Sequence, residues 1–253
     1  MDEERAIDLK NGKFKRNSFI LDEPLIYCPG CTHGIAHRLL AEVIDELGIS
    51  ERSIGVSSIG CSVRIWKFLN FDFVQGAHGR GMAVATGIKR SNPDKVVFTY
   101  QGDGDLAAIG MGETIHAIAR GEKITTIFIN NSVFGATGGQ LAPTTLLGQK
   151  TVTYPEGRRE ESIGNPIRFS ELLSSLDSNG YIARVAANTP SNIKKTKEAI
   201  RKAFEAQISG KGYGLVEILG CCPSNLKMSP VDSMRWIGTD MIPYYPLGEF
   251  KKV

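Results

Sequence analysis

Short apolar runs alternating with helical patterns constrain this chain more than any other feature. Ile54–Ser58, Val96–Tyr100, Ile124–Asn130, Ile182–Ala186 and Gly214–Leu219 are rich in β-branched residues and lack a polar alternation, as strands buried on both faces do. Between them lie helical patterns. In Gly34–Leu47 the side chains of Ile35, Leu39, Leu40, Val43, Ile44 and Leu47 fall on one side, the 3.6-residue period of an amphipathic helix. Arg80–Arg90, Leu106–Arg120, Phe169–Leu176 and Ser191–Ser209 read as further helices, the last with Ser191 as N-cap. Strand–helix alternation predicts an α/β fold with a mainly parallel sheet. The length of 253 residues suits one such domain, residues 1–253.

Two regions interrupt the rhythm. Phe134–Pro166 is rich in glycine, threonine and proline and shows no period. That is long for a loop in a compact domain, and such loops are usually functional or ordered by a partner. The tail from about Cys222 to Val253 also reads as irregular, with Pro243-Tyr244-Tyr245-Pro246 near its end.

The chemistry-bearing pattern sits at two strand ends. TYQGDGDLAAIG closes the Val96–Tyr100 run, and NNSVFGATGGQ closes Ile124–Asn130, with 25 residues between Gly104 and Asn130. Open parallel sheets bind ligands beyond the carboxyl ends of their strands. Gly102 and Gly104 let backbone amides approach a phosphate, and the helix starting near Leu106 would aim its positive end at it. Asp103 offers an anionic oxygen and Asn131 a neutral one, a pair suited to Mg²⁺, which takes oxygen ligands and is completed by phosphates. A glycine-rich turn with a capping aspartate would account for GDG alone, but not for GDG and NN at this spacing.

Cysteines form the second constellation. Cys28 and Cys31 make a C-x₂-C pair, Cys61 lies in SIGCS after a strand, and Cys221-Cys222 follow another. From the residues alone such a set could bind zinc, form a redox disulfide or hold an iron–sulfur cluster; buried structural thiols are the bland alternative.

The GDG…NN pattern resembles the fingerprint of thiamine diphosphate enzymes. By that resemblance Asp103, the Asn131 side chain and the Val133 carbonyl hold Mg²⁺, while Asp105, Gly135, Ala136 and Thr137 border the diphosphate. YCPGCTHG, IGCS, AHGRGMAVATGIK, TYQGDGDLA, NNSVFGATGGQLAPTTLLGQKT and CCPSN occur in the order found in β subunits of 2-oxoacid:ferredoxin oxidoreductases. The resemblance runs from about Tyr27 to the C-terminus and is strongest to the 2-oxoglutarate and branched-chain types. It implies a thiamine diphosphate-binding fold with helices on both faces of the sheet. It further implies a [4Fe–4S] cluster on Cys28, Cys31, Cys61 and Cys222, the last chosen because Pro223 follows it. Ile59, Gly60, Cys61, Ser62, His78 and Arg80 would border the cofactor. The implied activity is coenzyme A-dependent oxidative decarboxylation of a 2-oxoacid, with 2-oxoglutarate the expected substrate and a branched-chain 2-oxoacid or pyruvate as alternatives. Ferredoxin would take the electrons. A glutamate that activates thiamine is missing from any recognisable motif, so an α subunit is expected to supply it; small ferredoxin-like subunits could accompany it. Thr32 and Ala136 depart from the family's usual glycine and larger residue.

Other residues are weaker candidates. Arg64, three residues after Cys61, could grip a distal carboxylate of 2-oxoglutarate bidentately; a solvated surface arginine is the bland reading. His33 could bond cluster sulfur or cap its helix, and His37 and His116 read as structural. A net charge of +3, from 30 Lys and Arg against 27 Asp and Glu, with no basic stripe, argues against nucleic acid. No apolar run reaches membrane length, and the charged start MDEERAIDLKNGKFKRNS carries no signal core, so a cytoplasmic protein is expected. A non-oxidative thiamine decarboxylase would need no cysteine set; a zinc or redox module would need no Asp103–Asn131 pair.

Overall fold

The computed structural model describes residues 17–252; most of the charged N-terminal segment, through residue 16, lies outside them. A seven-stranded sheet runs β2–β1–β3–β4–β8–β7–β9. Its strands are β1 Ser53–Ser57, β2 Asp72–Gln75, β3 Val96–Gly102, β4 Thr125–Asn130, β7 Gly180–Ala186, β8 Tyr213–Leu219 and β9 Gly248–Lys251, while β5 Val133–Phe134 and β6 Gln140–Leu141 form a separate hairpin. Every neighbouring pair is parallel except β7 and β9. The five expected strands are therefore present, each within two residues of its expected ends. β2 and β9 were invisible in the sequence because each is four residues long and largely exposed.

Helices cover both faces. On one, α1 His33–Glu46 and α6 Pro190–Ile208 press Ala36, Leu40, Ile44, Ile200 and Phe204 against Phe98, Ile127 and Val216 of the sheet. On the other, α2 Gly81–Ser91, α3 Met111–Ala119 and α5 Phe169–Ser174 bury Met82, Ala117, Phe169 and Leu173 against Val97, Phe128 and Leu215. The remaining α4 Glu160–Ile163, α7 Pro223–Leu226, α8 Pro230–Trp236 and α9 Ile242–Tyr244 are short. Each large apolar side chain buried here contributes about 1.5–3 kcal/mol against exposure, which is why the alternation in sequence specified the layers.

Three expectations need correction. The cap of α6 is Thr189, whose side chain accepts from Asn192 N–H, not Ser191; Pro190 then occupies the first helical position, where its missing N–H costs nothing. The tail is not irregular. It winds through α7, α8, a π-helical turn at Ile237–Met241 and α9, packing Trp236, Ile237, Met241 and Tyr245 on Leu146, Ala186 and Leu219. The long loop is ordered from within the chain: the buried Arg158 donates to the carbonyls of Pro143, Thr145, Gly164 and Asn165 at 2.9–3.0 Å.

Candidate active site

Because the strands are parallel, their carboxyl ends lie along one edge of the sheet. Five loops meet there: Ser58–Ser62 after β1, the His78 turn after β2, Asp103–Asp105 after β3, Asn131–Val133 after β4 and Gly220–Cys222 after β8. The first four line one cleft. It is bordered by Ile59, Gly60, Cys61, Ser62, His78, Gly102, Asp103, Gly104, Asp105, Asn131, Val133, Gly135, Ala136 and Thr137, with His33 and Phe134 beside them. Its volume is about 90 Å³, against roughly 300–1,000 Å³ for pockets that enclose a drug-sized ligand.

Asp103 is buried, and its carboxylate accepts from Gly104 N–H at 2.8 Å, Val133 N–H at 3.1 Å and Thr144 Oγ1 at 2.6 Å. Burial pushes its pKa up to about 7 against the pull of those bonds. The Asn131 amide faces Asp103 Oδ1 at 3.3 Å and the Val133 carbonyl at 2.9 Å. With its nitrogen turned inward the amide bonds both; with its oxygen inward, three oxygens converge. The second arrangement is a cation cradle of the hard-oxygen type that Mg²⁺ prefers, so the residues present fit that ion. The turn that makes it possible passes through Ser132 at φ 59°, a left-handed conformation uncommon for a residue with a side chain.

Asp105 is spoken for by the protein. One oxygen accepts from Ser58 Oγ, His78 Nδ1 and Gly79 N–H at 2.6–2.8 Å, and the other from Gln101 Nε2 at 2.6 Å. It ties three loops together and fixes the His78 ring at the cleft. The helix after GDG begins at Gly104 rather than near Leu106, as a π-helical turn whose Gly110 N–H reaches back to the Asp105 carbonyl at 2.8 Å. Such turns recur at functional sites.

The cysteines are all free thiols. A Cβ added to Gly135 would lie 3.5 Å from Cys222 Sγ and 3.7 Å from Cys61 Sγ, so these two thiols meet across that glycine, between hairpin and cleft. Asn225 Nδ2 donates to Cys222 Sγ at 3.0 Å, and Ser224 Oγ donates to Cys28 Sγ at 3.0 Å. Burial pushes Cys31 up to about 12 and Cys61 up to about 11, and the neighbouring thiols add to both shifts. Cys221 points elsewhere: its thiol donates to the Gly30 carbonyl at 3.3 Å, and its N–H donates to Thr32 Oγ1 at 3.0 Å. Gly30, at φ 81°, leaves no room for a side chain because Pro230 Cα would lie 2.8 Å from a Cβ; the C-x₂-C loop thus rests on α8. Among the described residues no three His, Cys, Asp or Glu side chains converge on a single ion.

Not every candidate reaches the cleft. Arg80 turns away into an ion pair with Glu113. Arg64 is exposed in the 3₁₀ turn Cys61–Lys67 and makes no ion pair among the described residues, though its charge is felt at Cys61 and Tyr27. The His33 ring neither caps α1 nor bonds sulfur, and it is the His33 backbone that hydrogen-bonds the Cys31 thiol; the ring Nδ1 pairs with Tyr100 Oη at 2.7 Å, under the stacked Tyr27 ring. Sequence reasoning missed Thr144, Gln101, Ser58, Ser224 and Asn225, which act on motif residues from up to 196 positions away. For Thr144, Ser58 and Ser224, 41 to 196 positions from the residues they bond, no local pattern could mark the contact, whereas Gln101 and Asn225 stand three or four residues from theirs, within the quoted motifs.

Comparisons with known proteins point the same way. Residues 58–218 match the family described as thiamine pyrophosphate enzyme, C-terminal TPP binding domain. A ketoisovalerate oxidoreductase subunit VorA of Methanothermobacter marburgensis is 48% identical over 225 residues, 89% of this chain and 47% of its own length. A 2-oxoglutarate synthase subunit KorB of Archaeoglobus fulgidus is 36% identical over 239 residues, 90% of this chain and 85% of its own. Among solved structures, a 2-oxoglutarate:ferredoxin oxidoreductase from Magnetococcus marinus, with 2-oxoglutarate, coenzyme A and succinyl-CoA bound, superimposes with a TM-score of 0.78 at 25% identity, covering 95% of this chain and 85% of that one. The chain spans about half the length of the ketoisovalerate relatives it matches. No helix among the described residues is long and apolar enough to cross a membrane.

Proposed function

Because the chain belongs to the β-subunit family of the 2-oxoacid:ferredoxin oxidoreductases, we propose that it is half of an active site for oxidative decarboxylation of a 2-oxoacid. One observation carries this reading: a Cβ added to Gly135 would lie 3.5 Å from the Cys222 thiol and 3.7 Å from both the Cys61 thiol and the Asn131 amide. Cation cradle and thiol set therefore share a wall. A non-oxidative thiamine enzyme has no use for that juxtaposition, and a zinc module has none for the cradle.

In this reading Asp103, Asn131 and the Val133 carbonyl hold Mg²⁺ and through it the diphosphate of thiamine diphosphate. Gly102, Gly104 and Gly135 to Thr137 offer backbone close to the phosphates, and Asp105 holds His78 and the β1 loop in place. Cys28, Cys31, Cys61 and Cys222 hold a [4Fe–4S] cluster, with the Cys221 thiol occupied by Gly30. Thiamine diphosphate supplies the electron sink for loss of CO₂, and the cluster supplies the electron exit. The protein's part is to keep the two within one cleft and to fix their orientation.

The small enclosed volume supports a second wall from an α subunit, which would also bring the activating glutamate. Coenzyme A and ferredoxin complete the reaction. For the substrate, relatives named for ketoisovalerate stand at 47–48% identity and those named for 2-oxoglutarate at 35–37%, which favours a branched-chain 2-oxoacid over the 2-oxoglutarate expected from sequence. Arg64, exposed and without an ion pair among the described residues, is the feature that favours 2-oxoglutarate.

The test is anaerobic co-purification with the partner, then ferredoxin reduction with coenzyme A and a panel of 2-oxoacids. A complex that contains iron and thiamine diphosphate yet turns over none of them would refute the assignment. Arg64→Leu sharpens the substrate question: loss of 2-oxoglutarate turnover with 2-oxoisovalerate turnover intact would give Arg64 the distal carboxylate.

A further inference from the structure

Both sides of the oxygen cradle lead back to one buried side chain, Arg184 on β7. Its guanidinium has no exposed surface; Nε donates to Glu217 Oε2 at 2.8 Å, and Nη1 to Glu171 Oε1 at 2.9 Å. Glu217, equally buried on β8, accepts from Asn130 Nδ2 at 2.7 Å through its other oxygen. Asn130 Oδ1 accepts from Ser132 N–H at 3.2 Å, which holds the left-handed turn that presents Asn131 and Val133. On its other side the guanidinium lies 5.1 Å from the centre of the Tyr245 ring. The Tyr245 hydroxyl donates to the Thr144 carbonyl at 2.8 Å, and Thr144 Oγ1 donates to Asp103 Oδ2 at 2.6 Å.

Fold stability does not account for this arrangement. A buried ion pair costs desolvation that its attraction often only balances, and well-packed apolar replacements of both partners are commonly neutral or stabilising. What the pair uniquely supplies is direction. Two arms leave it: a hydrogen-bonded one through Glu217 and Asn130 to the β4 turn, and one that begins as the contact of the guanidinium with the Tyr245 ring and continues by hydrogen bonds through Thr144 to the Asp103 carboxylate. We propose that Arg184 and Glu217 are positioning residues that set the spacing of Asp103 against Asn131 and Val133, and thereby the affinity of the cradle for a divalent cation. The inference deepens the proposed function and rests on its assignment of the cradle. It also gives the Pro243–Pro246 segment a role, since Tyr245 is the second arm.

The experiment uses the complex with its partner subunit and measures Mg²⁺-dependent binding of thiamine diphosphate by protein fluorescence, alongside the melting temperature without Mg²⁺. The double variant Arg184→Met with Glu217→Leu removes both charges together. The expected result is a melting temperature close to wild type, a half-saturating Mg²⁺ concentration raised about 10–100-fold, the usual cost of losing outer-shell support, and recovery of binding at excess Mg²⁺. An unchanged Mg²⁺ requirement overturns the inference. Should the double variant fail to fold, Tyr245→Phe decides: it deletes the hydroxyl that links the Arg184 contact to Thr144, and a several-fold higher Mg²⁺ requirement supports the proposal while a wild-type value overturns it. Asp103→Ala separates the two levels. If that variant binds thiamine diphosphate with Mg²⁺ like wild type, the assignment of the cradle has failed, rather than the role of the arms alone.

Discussion

Asp103, Asn131 and Val133 stand one to three residues beyond the ends of two adjacent strands, whereas the thiols of Cys28, Cys31, Cys61 and Cys222 come from three separate loops. The cradle is held from the sheet: its carboxylate is buried, its turn is pinned, and its supporting groups trace to side chains within β7 and β8. The thiol set is graded from the exposed Cys28 to the buried Cys222, and burial together with mutual repulsion holds Cys31 and Cys61 in their neutral form. The difference teaches that two neighbouring sites can be preorganised to different degrees. In the proposed reading the cradle is preformed for its cation. In the same reading the thiols lose their protons as the cluster binds, which couples cluster binding to local ordering.

The largest effect expected from this contrast is on the cradle. Asp103→Ala should raise the Mg²⁺ requirement for thiamine diphosphate by more than about 100-fold, beyond the range typical of outer-shell changes, while iron content stays at the wild-type level. Equal loss of iron, measured on anaerobically prepared complex, would show that the two regions are not independent. Next comes the pair of late cysteines. Cys222→Ala should lower iron per complex and abolish ferredoxin reduction, yet leave Mg²⁺-dependent cofactor binding in place; Cys221→Ala should keep its iron. Reversal of those two results would move the fourth ligand to Cys221 and undo the geometric distinction between the neighbouring thiols.

A smaller effect belongs to the base of the C-x₂-C arm. His37 is buried with neither ring nitrogen hydrogen-bonded, and burial holds its pKa well below the ordinary histidine value, with His33 adding to the shift. In the unfolded chain it titrates near 6.5, so below that pH the unfolded state takes up a proton that the fold refuses. Stability from this residue is complete above about pH 6.5 and declines on acidification, by up to about 1.4 kcal/mol per pH unit. Urea midpoints at pH 7.5 and 5 should diverge, and His37→Phe should reduce the divergence; an equal divergence in the variant would remove His37 as its source.

The layers were legible because buried strands and amphipathic helices write their period into consecutive residues, as in Val96–Gly102 and His33–Glu46. The core of the candidate site was legible because GDG and NN must each follow a strand, and both do. Arg80 was misplaced for a related reason. Its position beside His78 put it at the right turn, but only the fold reveals that its side chain turns back to Glu113. The tail deceived because four prolines suggest irregularity, while Pro223 and Pro230 in fact begin short helices and Pro243 is the second residue of a third; at a first helical position a missing N–H is harmless.

By itself the sequence determined the α/β alternation, the strand-end placement of Asp103 and Asn131, and a cysteine set drawn from three places in the chain. Local pattern sufficed there, since backbone geometry converts spacing directly into position. Only the tertiary structure decided that Cys221 turns to Gly30 while Cys222 faces Cys61 across Gly135, that Asp105 is consumed by four protein donors, and that Arg184 lies behind both sides of the cradle. Those facts depend on contacts between residues far apart in sequence, and the direction of a side chain is set by what packs against it.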